Sequence, residues 1–176
     1  MYIALTFASQ QLLNSPVFGA EGAVHYTTTT TSGAYHAHKV TTIVAASGLV
    51  GIINWLDKTF TINGLQCQWD HLKCPVGGVF SSAREWKWDH KIYTLKYHDS
   101  HRELLATPNS GFGGTVRFTP PHLHVLHENE PAVIYFPFEL QDEIMRMFLL
   151  MAVLQMETRR KDDDDGFVVL PPVIVN

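Results

Sequence analysis

Residues 144–156, IMRMFLLMAVLQM, constrain this chain more than any other stretch. Eleven of these thirteen positions are apolar, and only Arg146 and Gln155 interrupt them. Residues 139–160 hold no Pro or Gly and are rich in Leu, Met, Glu, Gln and Arg, so the segment predicts a helix over about 139–160. Acidic Glu139, Asp142 and Glu143 stand in its first turns, and Arg159, Arg160 and Lys161 in its last, the arrangement the helix dipole favours. A surface helix keeps one polar stripe, whereas here the apolar residues cover every direction around the axis. A helix of that kind is buried on all sides. A bilayer would meet the same demand, but a span needs about 20 apolar residues and a run of about 10–14 marks a core helix. The sequence therefore predicts no transmembrane segment, and the lack of one-sidedness argues against an interfacial helix.

What surrounds such a helix is legible upstream. Short runs rich in β-branched and aromatic residues follow one another: AVHYTTTTT, KVTTIVA, LVGIINW, REWKW, IYTLKYH, ELLAT, TVRFT, HLHVL and AVIYF. Gly/Pro/Asn-rich separators such as CPVGG, TPNSGFGG and TPPH lie between them. In TFTINGLQCQW, Asn63-Gly64 between extended runs predicts a two-residue type I′ hairpin, whose central residues both need positive φ. REWKW puts Trp86 and Trp88 on one face and Glu85 and Lys87 on the other. One helix buried all round and preceded by ten or so strands predicts a mainly β fold. The expected form is a closed antiparallel β-barrel of about 10–12 strands around one C-terminal hydrophobic helix, which buries the helix and leaves no edge unpaired. Residues 1–161 would form this single domain, and 162–176 an acidic turn with a short apolar tail.

Composition narrows the partners. At 176 residues, 45% hydrophobic and 17% charged, the chain is ordinary globular material rather than disordered. A net charge of -4 argues against nucleic acid or an anionic membrane as partner, although TRRK is a local basic spot. Cys67 and Cys74 form no CxxC pair, the N-terminus reads as a strand rather than a signal peptide, and no glycosylation acceptor occurs. A cytoplasmic protein with reduced thiols is the expectation. Nothing in the residues sets an oligomeric state.

The order of parts resembles a large family from mushroom-forming fungi that carries only a domain-of-unknown-function label and is grouped with tubby-like and LURP-one/scramblase-like barrels. The resemblance rests on YIALTF, on VFSSAREWKW leading to YTLKYHDSHRELLAT, and above all on ELQDEIMRMFLLMAVLQMETRR, and covers roughly residues 2–161. It implies about twelve strands wrapped around a C-terminal hydrophobic helix. It implies no activity. The phosphoinositide binding of tubby-like relatives is not carried over, because no Lys/Arg cluster lies on one strand face.

Several constellations could carry chemistry. Ten histidines are many for this length, and the densest group is PPHLHVLHENE. On a strand, His122 and His124 share a face and could hold a zinc-sized ion, with His127 or Glu128 as third ligand. A polar solvent-facing strand accounts for the same residues. His36 and His38 repeat the HxH spacing in a loop context. In YHDSH, His98, Asp99 and His101 place a carboxylate beside imidazoles, as a general base needs, or form an ordinary polar turn. No nucleophile elbow, HExxH or P-loop is present, GFGG reads as a turn, and the tetrad Asp162–Asp165 reads as a solvated run. Trp55, Trp69, Trp86 and Trp88, with Met145, Met147, Met151 and Met156, make a soft interior that either packs solid or leaves an apolar pocket. No cofactor is expected. Three functions fit, in this order: a binding module for an apolar or lipid-like small molecule; a cofactor-independent isomerase or cyclase acting on an apolar fungal metabolite with His/Asp acid–base groups; and a protein-interaction scaffold.

Overall fold

The structure is a computed structural model that describes residues 1–32, 38–77, 83–98, 102–111, 113–122 and 129–165, with residues 163–165 described by backbone only. Among these residues the chain forms thirteen strands and two helices. A first meander runs through β1 (Tyr2–Phe7), β2 (Ser15–Phe18), β3 (Val24–Ser32), β4 (His38–Ala45), β5 (Val50–Asn54), β6 (Thr59–Ile62) and β7 (Leu65–Gln68). The short α1 (Trp69–Leu72) leads to a second meander. It comprises β8 (Lys73–Pro75), β9 (Arg84–Trp88), β10 (Lys91–His98), β11 (Glu103–Pro108), β12 (Val116–Thr119) and β13 (Val133–Pro137), and α2 (Glu143–Asp165) ends the described chain.

The two meanders join where β1 pairs with β13, Leu5 opposite Ile134, so a single antiparallel sheet runs from β7 through β1 and β13 to β8. The sheet curls around α2. Phe60 on β6 and Trp86 on β9, each one strand in from opposite edges, stack with centroids 5.5 Å apart and planes 9° apart. The predicted closed barrel nevertheless needs correction, because the edge strands β7 and β8 do not pair. Strand parity supplies the reason. Each neighbouring pair is antiparallel, and an odd number of strands then leaves the two edges running parallel. A parallel pair needs a crossover of about a dozen residues or more, and only the four residues of α1 lie between β7 and β8. In place of a ladder, α1 covers the seam with buried Trp69 and Leu72.

Local chemistry explains most elements. Asn63 (φ 50°) and Gly64 (φ 81°) turn β6 into β7 with Ile62 opposite Leu65, the predicted hairpin. The threonine run alternates as a strand does, with Thr28 buried and Thr27 and Thr29 exposed. On β9 Trp86 and Trp88 face the core while Lys87 is exposed. In GFGG, Gly111, Gly113 and Gly114 all have positive φ, and Phe112 lies outside the described residues.

The buried-helix expectation holds: from Met147 to Leu154 no residue is more than 1% exposed. Wall and helix touch so closely at Gly51 that a Cβ there would stand 2.7 Å from the Met147 sulfur. The helix bounds differ from the predicted 139–160. Asp142 caps the N-terminus, its Oδ1 accepting the Met145 amide at 3.1 Å. At the other end the backbone stays helical through Asp165, where an acidic turn was expected. Four aspartates are weak helix formers at the wrong end of the dipole, but a helix already nucleated and packed adds each further residue cheaply. Among the described residues no helix is long and apolar enough to cross a membrane.

Candidate functional site

The two ends of α2 each open on a cleft, and the clefts differ in chemistry. At the N-terminal end a cleft of about 490 Å³ lies beside the unpaired edge of β7, between β7, α1, the β9–β10 turn and the start of α2. Leu65, Cys67, Leu72, Trp88, Ile144 and Met145 form its apolar wall. Leu72, Trp88 and Met145 are core residues, whereas Leu65 is 60% and Ile144 39% exposed, so the wall runs from the core out to solvent. Asp89, His90, Lys91 and Asp142 form the polar rim. There Lys91 donates to Asp142 at 2.8 Å, and His90 Nδ1 lies 2.5 Å from Asp89. Burial alone would raise the Asp142 carboxyl, but the Lys91 hydrogen bond and the Met145 and Ile144 amides outweigh it and hold it below the ordinary value.

At the C-terminal end a cleft of about 570 Å³ is lined by Tyr97, His98, Arg102, Thr119, Pro120, Pro121, His122, Glu130 and Arg160. A smaller cavity of about 160 Å³ adjoins it and shares Tyr97 and Arg160; its other walls are Lys73, Arg84, Gln155, Met156 and Arg159. Glu157 organises this end. Its carboxylate is 1% exposed, accepts from the Tyr97 hydroxyl at 2.7 Å and from Arg160 at 2.8 and 3.0 Å, and lies 3.9 Å from the Lys161 ammonium. Burial, then the Glu157 charge and hydrogen bond, push the Tyr97 hydroxyl far above its ordinary value, so it is a permanent donor. Lys73 projects over the faces of Trp69 and Trp86, 4.9 and 5.5 Å from their centroids. Burial, then Arg159, pull its ammonium down to about 8; Arg84 and Lys58 act in the same sense and Asp70 opposes them.

The residues singled out in the sequence are thus redistributed. Trp69, Trp86 and Trp88 are core braces: Trp86 stacks on Phe60, Trp69 meets Phe60 edge-on at 5.9 Å, and Trp88 tilts over Phe148 at 5.2 Å. Of the three, Trp88 alone lines a described cleft. Trp55 is half-buried and donates to Thr41 Oγ1 at 2.8 Å, beside the His38 ring. His98, from the acid–base candidates, and His122, from the metal candidates, line the same C-terminal cleft. Arg102 Nη1 stands 2.8 Å from both His122 ring nitrogens, and the His122 backbone bridges Glu130 in both directions. A guanidinium on that ring is a poor neighbour for a metal ion. The described residues contain no group of three side chains able to hold one. Asp99, His101, His124, His127, Glu128 and His36 lie outside the described residues.

Sequence reasoning did not find Lys73, Arg84 or Glu157. Lys73 and Arg84 are separated by ten residues and meet Arg159 and Arg160 only through the fold, so TRRK was the one visible part of the cluster. Glu157 carried a weak signal: it follows the apolar run and sits three residues before Arg160. Comparison with known proteins yields no relative, as no family model, curated protein or solved structure matches the chain.

Proposed function

We propose that the protein is a binding module for an apolar or lipid-like small molecule, which it takes up in the seam cleft beside Trp88. The observation that carries this reading is a cleft of about 490 Å³ beside the unpaired edge of β7, with a wall of Leu65, Leu72, Trp88, Ile144 and Met145. That size falls within the range of small-molecule pockets, roughly 300–1,000 Å³, and an apolar wall under a few polar rim groups is their usual composition. Methionine and leucine at the helix start adapt to a ligand's shape at small cost. Kinship with tubby-like and LURP-one/scramblase-like folds belongs to the same proposal; a curled sheet around a C-terminal helix supports it, and the unpaired seam departs from a fully closed form.

The test is native mass spectrometry of freshly purified protein, together with titration by dodecanol or Nile red, both uncharged, followed by tryptophan fluorescence. A saturable signal is expected, weakened at least about tenfold by Ile144→Lys, which sets a charge in the wall at a tolerant, partly exposed position. Absence of both a co-purifying molecule and saturable binding would overturn the proposal. One observation favours a second reading, acid–base catalysis: His98 and His122 share a cleft with Arg102 and Glu130. It predicts that a recovered ligand is chemically altered on incubation and that His98→Gln stops the alteration.

A further inference from the structure

The cavity beside the exit of α2 gathers four basic side chains, two of which, Lys73 and Arg159, have no carboxylate partner among the described residues. Lys73 comes from β8, Arg84 from β9, and Arg159 and Arg160 from α2, and all four line the same space of about 160 Å³. They converge in a chain whose net charge is -4. Glu157, the one buried carboxylate among the described residues at this end, is engaged by Tyr97, Arg160 and Lys161. Among the described residues no carboxylate stands within ion-pair distance of Lys73 or Arg159. Lys73 is held instead by the faces of Trp69 and Trp86. Like charges gathered around one cavity, Lys73, Arg84 and Arg160 partly buried and Arg159 exposed, repel one another unless an anion joins them. The ammonium of Lys73 is depressed first by burial and then by the Arg159 charge.

We infer that this cavity is an oxyanion site that takes the phosphate of a small phosphomonoester, with the organic part of the ligand lying in the adjoining 570 Å³ cleft. A phosphate presents several acceptors on a tetrahedron and a charge near -2, which suits cations arriving from three elements; guanidinium groups bind it through paired N–H donors and the ammonium as a point charge. The volume of about 160 Å³ suits one such group. Tyr97 and Arg160, common to both spaces, sit at the junction where the ester oxygen would lie. A carboxylate, planar and singly charged, would bind more weakly. The inference rests on no part of the seam reading.

The test is calorimetric titration of the full chain with phenyl phosphate, benzoate and phenol at fixed ionic strength. Phenyl phosphate should bind best and phenol not at all, and Lys73→Met and Arg159→Gln should each weaken phenyl phosphate at least about tenfold, the loss of one charge-assisted contact. Lys73→Met keeps the stem that covers the tryptophans, and Lys87→Met, exposed on β9, is the control that should change nothing. Should the Lys73 variant not fold, the wild-type protein still decides. Phenyl phosphate affinity should fall between pH 7 and pH 9.5 as Lys73 loses its proton near 8, and a flat profile would overturn the inference. Equal binding of phenol, unchanged affinity in both variants, or an effect reproduced by added chloride would also overturn it. Sedimentation with phosphatidylcholine vesicles, with and without phosphatidic acid, separates the sources. Pelleting that Lys73→Met abolishes supports a lipid headgroup, soluble binding without pelleting supports a free phosphomonoester, and neither defeats the site.

Discussion

At the N-terminal end of α2, both acidic groups of the helix start have donors. Asp142 takes the Met145 amide and the Lys91 ammonium, and Glu143 accepts from the Ser47 hydroxyl. At the C-terminal end one buried carboxylate, Glu157, faces Arg160 and Lys161, and Lys73 and Arg159 stand close by. The first arrangement completes a helix terminus and leaves an apolar cleft beside it. In the second, Lys73 and Arg159 line a cavity with no carboxylate partner among the described residues. Charges that satisfy one another hold a fold together, while charges in excess are where a ligand of opposite sign gains most. The contrast is the ground on which we propose apolar recognition at one end and anion recognition at the other.

The contrast breaks most severely at Glu157. Glu157→Ala removes the acceptor of Tyr97 and Arg160 from a buried site and should cost about 3 kcal/mol, read from urea unfolding. Glu157→Gln, which retains hydrogen bonding to Tyr97, should cost less. At the opposite end Asp142→Ala removes a helix cap and should cost about 1 kcal/mol. The carboxyl of Asp142 is depressed below 3.8, so its contribution is full above that value and is lost as pH falls through the lower folded one. The wild-type and Asp142→Ala stabilities should accordingly converge in acid.

The smallest effect sharpens the comparison from the basic side. Lys73 titrates near 8 in the fold against 10.5 when unfolded, so between those values the unfolded chain holds a proton that the folded chain has shed. Stability should therefore rise with pH across that window. Tyr97, raised above its ordinary 10, contributes a constant amount below pH 10 and loses it only above. Thermal melts from pH 8 to pH 9.5 should show the rise in wild-type protein and a flatter profile in Lys73→Met.

Much of the frame was legible because it depends on local pattern. Asn63-Gly64 announced its hairpin, REWKW announced which face carries tryptophan, and the run from Ile144 to Met156 announced its own burial. The helix end was misjudged because propensity and dipole disfavour Asp162–Asp165, and both are weak beside continuation of a packed helix. The tryptophans offered as ligand contacts are mostly mutual packing, since alternation places a ring inward without saying whether it meets a ligand or another ring. His98 and His122 were read as parts of two separate motifs, and only the fold sets them in one cleft.

By itself, the sequence determined that a greasy helix must be enclosed by strands, because an all-round apolar segment too short for a bilayer has no other low-energy place. The tertiary structure decided that the enclosure stays open between β7 and β8, since the count and direction of strands is a property of the whole sheet. It also decided that Lys73, Arg84, Arg159 and Arg160 face one space, because side chains on three separate elements become neighbours only when the sheet curls around its helix.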